Sequence, residues 1–200
     1  MPSPLFWTLL AFFCGSLPFS VWLPKIARRA DVRDFGDGNP GATNAFRAGG
    51  KGIGLLALLL DVSKAAAPVG WATFQIGYDG WWLALIATAP VAGHAFSPFL
   101  RFRGGKALAV AFGAWIGLTL WKLSIPALLL VLLWRKLIDV DGWAVMLALA
   151  SLFVIILVWL PQPVYFAVLA GQVVILGWKH REDLRKRPHW RTRPSVRSTE

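Results

Sequence analysis

The stretch ALAVAFGAWIGLTLWKLSIPALLLVLLW, residues 107–134, decides how this chain is folded. Read without a break it is one membrane span. Read as 107–121 and 123–134, with Lys122 between, it is two. A span needs about 20 apolar residues, with a range of roughly 17–25. A 12-residue helix covers only about 18 Å at 1.5 Å per residue. Length alone therefore permits a single span, and the rest of the sequence has to decide.

Outward from this stretch, further apolar runs lie at 5–23, 53–77, 81–100, 143–160 and 163–178. The chain has 200 residues, is 56% hydrophobic and 16% charged, and has a mean hydropathy of +0.57. Soluble domains carry about 25% charged residues. Long apolar runs of this kind indicate a polytopic, all-α membrane protein.

Charge placement settles the count of spans. Two helices in 107–134 put the segments 24–52, 101–106, 135–142 and the tail from 179 on one side of the membrane. These segments hold every Lys and Arg except Lys64, inside a run, and Lys122. A single helix would carry Arg135, Lys136 and the basic tail to the opposite side. The bias of Lys and Arg toward the cytoplasm predicts seven transmembrane helices, N-terminus outside and C-terminus cytoplasmic. The two short helices are expected to extend into their flanks, with Arg135 and Lys136 snorkelling. The first basic residue is Lys25, which speaks for a retained first span over a cleaved signal peptide.

The net charge is +11, from 21 Lys and Arg against 10 Asp and Glu. Because the bases sit between apolar runs, membrane lipids and anionic substrates are the expected partners in place of nucleic acid. The lone Cys14 lies in an apolar run and forms no internal disulfide. Trp22, Trp71, Trp81, Trp82, Trp121, Trp134, Trp143, Trp159 and Trp178 stand near run ends, as an interfacial belt requires.

Five groups of residues are candidates for chemistry. The loop Gly36-Asp37-Gly38-Asn39-Pro40-Gly41-Ala42-Thr43-Asn44, followed by Arg47 and Lys51, alternates glycine with small polar residues. Its backbone N–H groups can converge on a phosphate, with Arg47 as a planar fork. A plain turn-rich loop has the same composition. The segment Arg101-Phe102-Arg103-Gly104-Gly105-Lys106 places two glycines before a lysine near a helix start, which suits an anion. Positive-inside placement explains the same charges. Asp61 and Lys64, at i, i+3 in an apolar run, share a helix face. They are either a structural ion pair or functional groups at membrane depth. Gly54, Ala65 and Pro68 lie near that face and permit close helix approach. His94 and His180-Arg181-Glu182-Asp183 complete the set: a membrane-depth histidine that bonds another helix or acts, and a charged cap after the last run.

Taken together, these blocks resemble the bacterial acyl-phosphate:glycerol-3-phosphate acyltransferases, small seven-helix membrane enzymes. The resemblance rests on Gly15-Ser16-Leu17-Pro18-Phe19-Ser20 with Lys25, on Gly36 to Asn44 with Arg47, on Gly54 through Asp61 and Lys64, on Gly93-His94 through Lys106, and on His180-Arg181-Glu182, in that order. It implies a single acyltransferase-like domain over 1–180 and a basic cytoplasmic tail over 181–200. It implies catalytic roles for Arg47, Lys106 and His180. It implies substrate-phosphate contacts at Asp37, Gly38, Asn39, Gly41, Thr43, Asn44, Gly104, Gly105 and Asp183. Asp61, Lys64 and His94 are then accessory. Acyl-phosphate and glycerol 3-phosphate are the implied substrates, with no cofactor and no metal.

The chain departs from the family pattern at several places. Asp37 stands where serine is usual and Asp183 where asparagine is usual. Ala107 follows Lys106 in place of glycine, and Ala65 follows the Asp-x-x-Lys. Pro98 is displaced from its place after His-x-Phe. Leu137-Ile138-Asp139-Val140-Asp141 replaces a serine-bearing stretch. Carboxylates near a phosphate pocket repel an anion. Two other readings of the same residues stay open. One is a transporter or anion-binding protein in which Asp61 and Lys64 line a path. The other is a family member with an altered acceptor or without activity.

Overall fold

The computed structural model describes residues 2–191, and they are almost entirely helical. The helices are α1 (Pro4–Ser16), α2 (Phe19–Arg28), α3 (Ala42–Trp71), α4 (Gly80–Ala95), α5 (Leu108–Thr119), α6 (Trp121–Leu137), α7 (Asp141–Trp159), α8 (Pro163–Lys179) and the one-turn α9 (Arg181–Leu184). Among the described residues, four stretches are long and apolar enough to cross a membrane: Pro4–Arg28, Ala42–Ile76, Gly80–Leu100 and Asp141–Trp159. Leu108–Thr119 and Pro163–Lys179 are apolar but shorter.

The 107–134 stretch is two helices. Leu120 breaks it with φ 54° and ψ −114°, and α5 and α6 turn back on each other. The expected extension occurs in α6 only, which runs on to include Arg135 and Lys136. Arg135 is held by Asp141 through two hydrogen bonds of 3.1 and 3.0 Å. By contrast, α5 stays at 12 residues because Ala107 and Leu120 at its ends both adopt left-handed φ. Its position explains why so short a helix suffices. It lies against α3, α4 and α6, and Trp115 within it is 1% exposed. The Trp115 indole donates to the Gln172 side-chain carbonyl on α8 at 2.9 Å. A helix walled in by neighbours does not itself have to match the lipid thickness.

The helix bounds differ from the sequence expectation in two places. The first apolar run is bent at Leu17–Pro18, where Pro18 supplies no N–H, and α2 continues past residue 23 to Arg28. The third helix begins at Ala42, well inside the segment read as a loop. Gly50, at φ 80° and ψ −179°, splits it into a short stub carrying Thr43, Asn44 and Arg47 and a long rod carrying Asp61 and Lys64. The stub folds back so closely that a Cβ on Gly54 would lie 2.2 Å from the Phe46 ring.

Small residues set the helix spacing, as in membrane bundles generally. A side chain on Gly93 of α4 would strike the Phe12 carbonyl of α1 at 2.1 Å. Large apolar side chains such as Leu9, Leu59, Val158 and Val174 face outward, the arrangement expected where the surroundings are lipid. Trp71, Trp81, Trp121, Trp159 and Trp178 of the expected belt are exposed near helix ends, whereas Trp134 and Trp143 are tied to Ser151 Oγ and to the Lys186 carbonyl.

The basic segments meet at one end of the bundle. Loop residues 37–39 touch Lys106, Lys106 touches Asp183, and Ile138 pairs with Trp190. The tail thus folds back onto the segment before α7 as far as Arg191. Residues 192–200 lie outside the described residues.

Candidate functional site

The site forms where the Gly36–Gly41 loop, the α3 stub, the Gly104–Lys106 segment and the start of α9 converge. Gly36 and Gly38 adopt φ 60° and 68°, a conformation side chains resist. A Cβ on Gly36 would fall 1.7 Å from the Arg47 guanidinium, so the glycine makes room for it. Asn44, 1% exposed, is the hub of this corner. Its Nδ2 donates to Asp37 Oδ1 at 2.9 Å and to the Asn39 carbonyl at 3.0 Å, and its Oδ1 accepts from Arg47 Nη1 at 3.1 Å. Arg47 forms no ion pair among the described residues and is exposed, so its remaining donors are available to an anion.

Lys106 is differently placed. Its backbone N–H donates to Asn39 Oδ1 at 3.0 Å, which removes that donor from any ligand. Its Nζ lies 3.0 Å from Asp37 Oδ2 and 3.0 Å from Asp183 Oδ2. Asp183 also meets Lys186 at 3.2 Å. Partial burial alone would lower the Lys106 pKa, but the two carboxylates outweigh it and hold the ammonium above its ordinary value. Partial burial likewise works to raise Asp37 and Asp183, and Lys106 outweighs it, holding both below the ordinary carboxylate value. All three groups are charged at neutral pH. The two departures flagged in the sequence therefore do more than face an incoming phosphate: they occupy the lysine that would hold it.

His180 is buried at the end of α8, and its Nδ1 lies 2.8 Å from the Leu176 carbonyl. A proton on Nδ1 satisfies that carbonyl and leaves Nε2 as the acceptor nitrogen. Burial lowers its pKa. Gly41 closes the loop through its N–H to the Asn39 carbonyl at 2.8 Å. Thr43 is exposed and joins none of these contacts. Gly104 and Gly105 shape the segment before Lys106. A Cβ on Gly105 would meet His94 Nε2 at 2.5 Å and the Pro40 carbonyl at 2.7 Å.

Through Gly105 the site rests on a buried polar cluster. Lys64 Nζ lies 2.7 Å from Asp61 Oδ1, donates to the Leu17 carbonyl at 2.7 Å and reaches His94 Nδ1 at 2.8 Å. Ser20 Oγ donates to Asp61 Oδ2. His94 thus bonds a neighbouring helix on one side and supports the Gly105 backbone on the other. Lys179 was not singled out from the sequence, where it reads as one more cytoplasmic base. Its Nζ donates to the Gly104 carbonyl at 2.7 Å and to the Ala95 carbonyl at 3.1 Å, stitching the lysine-bearing segment to α8. Its place directly before His180 was the one available signal.

This is an all-helical, multi-pass membrane protein whose polar, basic residues are gathered into a site at one end of the bundle. The family model for glycerol-3-phosphate acyltransferase matches residues 5–188, and the chain belongs to that family. A glycerol-3-phosphate acyltransferase of Klebsiella pneumoniae is 35% identical over 190 residues, covering 94% of this chain and 88% of that protein. One from Cronobacter sakazakii is 49% identical over 106 residues, a match that spans about half of each, 53% and 51%. Among solved structures, the glycerol 3-phosphate form of PlsY, an integral membrane glycerol 3-phosphate acyltransferase, superposes with a TM-score of 0.81. It is 29% identical and the match covers 94% of this chain and 96% of that one. The lysophosphatidic acid form of the same protein gives 0.78 at 28% identity, over 91% and 90%.

Proposed function

We propose that this chain transfers an acyl group from acyl-phosphate to the sn-1 hydroxyl of glycerol 3-phosphate, releasing inorganic phosphate and 1-acyl-glycerol 3-phosphate for phospholipid synthesis. Support comes from the family, from the solved relative in its glycerol 3-phosphate form, and above all from the chain of contacts that joins Arg47, Asn44, Asp37, Lys106 and Asp183, with His180 three residues before Asp183 at the end of α8. The working topology is seven spans in the cell membrane with the site on the cytoplasmic face. The gathering of the basic segments at one end favours it.

The mixed anhydride is already activated, so the protein's task is to align two phosphates and offset charge. The acceptor hydroxyl oxygen attacks the acyl carbonyl carbon. The carbon–oxygen bond to phosphate breaks, and the phosphate leaves with the electron pair. Arg47 grips one phosphate through its fork and Lys106 offsets the charge that develops. The hydroxyl proton passes to His180 Nε2 or to a substrate phosphate oxygen. Holding both substrates in register supplies much of the acceleration. A second reading, a family member with a different acceptor or none, is favoured by one observation: Asp37 and Asp183 both close on Lys106. Purified protein supplied with palmitoyl-phosphate and radiolabelled glycerol 3-phosphate is expected to yield lysophosphatidate. No product at any acceptor concentration would leave the second reading standing.

A further inference from the structure

Across the Gly36–Gly41 loop from Lys106 lies a cavity of about 680 Å³. That volume falls in the range of small-molecule sites, about 300–1,000 Å³. Its walls carry Lys25, Arg33, Arg101 and Arg103, with Trp22 and Phe99 on the apolar side. The loop serves both places in alternation. Asp37 and Asn39 contact Lys106, whereas Gly38 and Pro40 line the cavity.

The charge balance of the two places is opposite. Lys106 is shared by two carboxylates. Of the four bases in the cavity, only Arg33 has an acidic partner among the described residues, Asp31 at 2.5 Å. Placement of bases at the cytoplasmic end accounts for their presence but not for their gathering in a cleft. Two consecutive non-glycine residues, Arg101 and Phe102, are held at φ 51° and 61° beside it. Such backbone costs free energy and persists where the surroundings enforce it. Trp22 and Phe99 meet edge to face, with centroids 6.0 Å apart. Both are exposed, as is Ile26 one turn further along α2. A basic cleft with an aromatic wall open to the surroundings has the amphipathic character of an anionic headgroup on an apolar chain.

We propose that this cleft binds the phosphate-bearing head of an anionic amphiphile, with Lys25, Arg33, Arg101 and Arg103 around the phosphate and Trp22 and Phe99 against the start of its chain. Two molecules present that chemistry: the acyl-phosphate donor and an anionic phospholipid of the surrounding membrane. The donor alternative rests on the acyltransferase reading, and the binding itself does not.

The test titrates dodecyl phosphate, an unreactive probe, into wild-type protein in dodecyl maltoside. Saturable binding is expected. The Lys25→Gln/Arg101→Gln/Arg103→Gln variant is expected to bind at least tenfold more weakly, with an unchanged melting temperature because all three side chains are exposed. Lys106→Ala is expected to keep the binding. Equal binding by the triple variant, or loss of binding in Lys106→Ala alone, overturns the proposal. So does unsaturable partitioning into the micelle. If the triple variant fails to fold, the single variant Arg101→Gln is read the same way, with a severalfold loss expected and no loss contradicting. Two further arms name the source in reconstituted membranes. A raised KM for palmitoyl-phosphate in phosphatidylcholine vesicles identifies the donor. If the lipid is the occupant, wild type is more active in phosphatidylglycerol than in phosphatidylcholine vesicles, and the triple variant keeps its KM and loses that difference; an unchanged KM with no such difference contradicts both sources. If wild type makes no lysophosphatidate, the acyltransferase reading fails while the dodecyl phosphate result still stands.

Discussion

Two lysine–carboxylate clusters in this protein have nearly the same contact distances and opposite settings. Lys64 and Asp61 meet at 2.7 Å with side chains only 2% and 1% exposed. Lys106 meets Asp37 and Asp183 at 3.0 Å each, with 27%, 52% and 16% exposed. In the first, Lys64 also reaches the Leu17 carbonyl and His94 Nδ1, and Ser20 donates to Asp61 Oδ2. The pair is buried and ties α3 to α1, α2 and α4. In the second, solvent reaches every member and the lysine has more carboxylates than it needs. Removing one partner from a buried pair strands a charge, at about 3–5 kcal/mol. An exposed pair contributes about 0–1 kcal/mol and rearranges readily. Burial, more than distance, separates the brace from the candidate site.

Breaking this contrast should have its largest effect at the brace. Asp61→Ala is expected to lower folded yield and thermal stability in detergent, with a loss of about 3–5 kcal/mol. Replacing both partners, Asp61→Leu with Lys64→Met, should be milder than either single change. Full yield and stability with abolished turnover in Asp61→Ala would instead make the carboxylate catalytic.

Next comes Lys106, the lysine proposed to meet substrate phosphate. Lys106→Ala is expected to leave the melting temperature nearly unchanged and to cut turnover about a hundredfold, equivalent to about 3 kcal/mol. Arg47→Lys keeps the charge and removes the fork, so a smaller loss is expected, about tenfold or roughly 1.4 kcal/mol. A Lys variant as active as wild type would show that Arg47 offers charge alone.

The smallest effect concerns pH. Burial holds the His180 pKa below its ordinary 6.5. Above that value the ring is neutral folded or unfolded. As pH falls through it, the unfolded chain takes up a proton that the folded one refuses, so stability declines toward the folded pKa. Melting temperatures from pH 7 to 5 should fall less steeply in His180→Gln than in wild type. Parallel curves would contradict a neutral, buried His180.

Much of this was legible in the sequence, for identifiable reasons. The break in 107–134 followed from where Arg135 and Lys136 would otherwise lie. The Asp61–Lys64 contact followed from helical spacing alone. Local pattern failed where tertiary structure decides. Asp37, Lys106 and Asp183 are far apart in the chain, and their mutual contact carries no local signal, so the carboxylates could be read only as repelling phosphate. The stub from Ala42 to Gly49 was hidden in a glycine-rich segment, because its fold-back at Gly50 and the seat of Phe46 on Gly54 are tertiary features. Lys179 looked like one more basic residue because backbone carbonyls 75 and 84 residues away leave no mark on sequence.

The central claim is that the Lys106 cluster is an adjustable seat for substrate phosphate, in contrast to the fixed pair beneath it. The most direct measurement is the KM for glycerol 3-phosphate, with palmitoyl-phosphate as donor, in the Asp37→Ser/Asp183→Asn variant. Freed of both carboxylates, Lys106 should hold the acceptor more tightly. The KM is expected to fall about tenfold, roughly 1.4 kcal/mol, with melting temperature little changed. A raised KM, or loss of activity in a stably folded variant, would show that the carboxylates themselves contact the acceptor and would contradict the account.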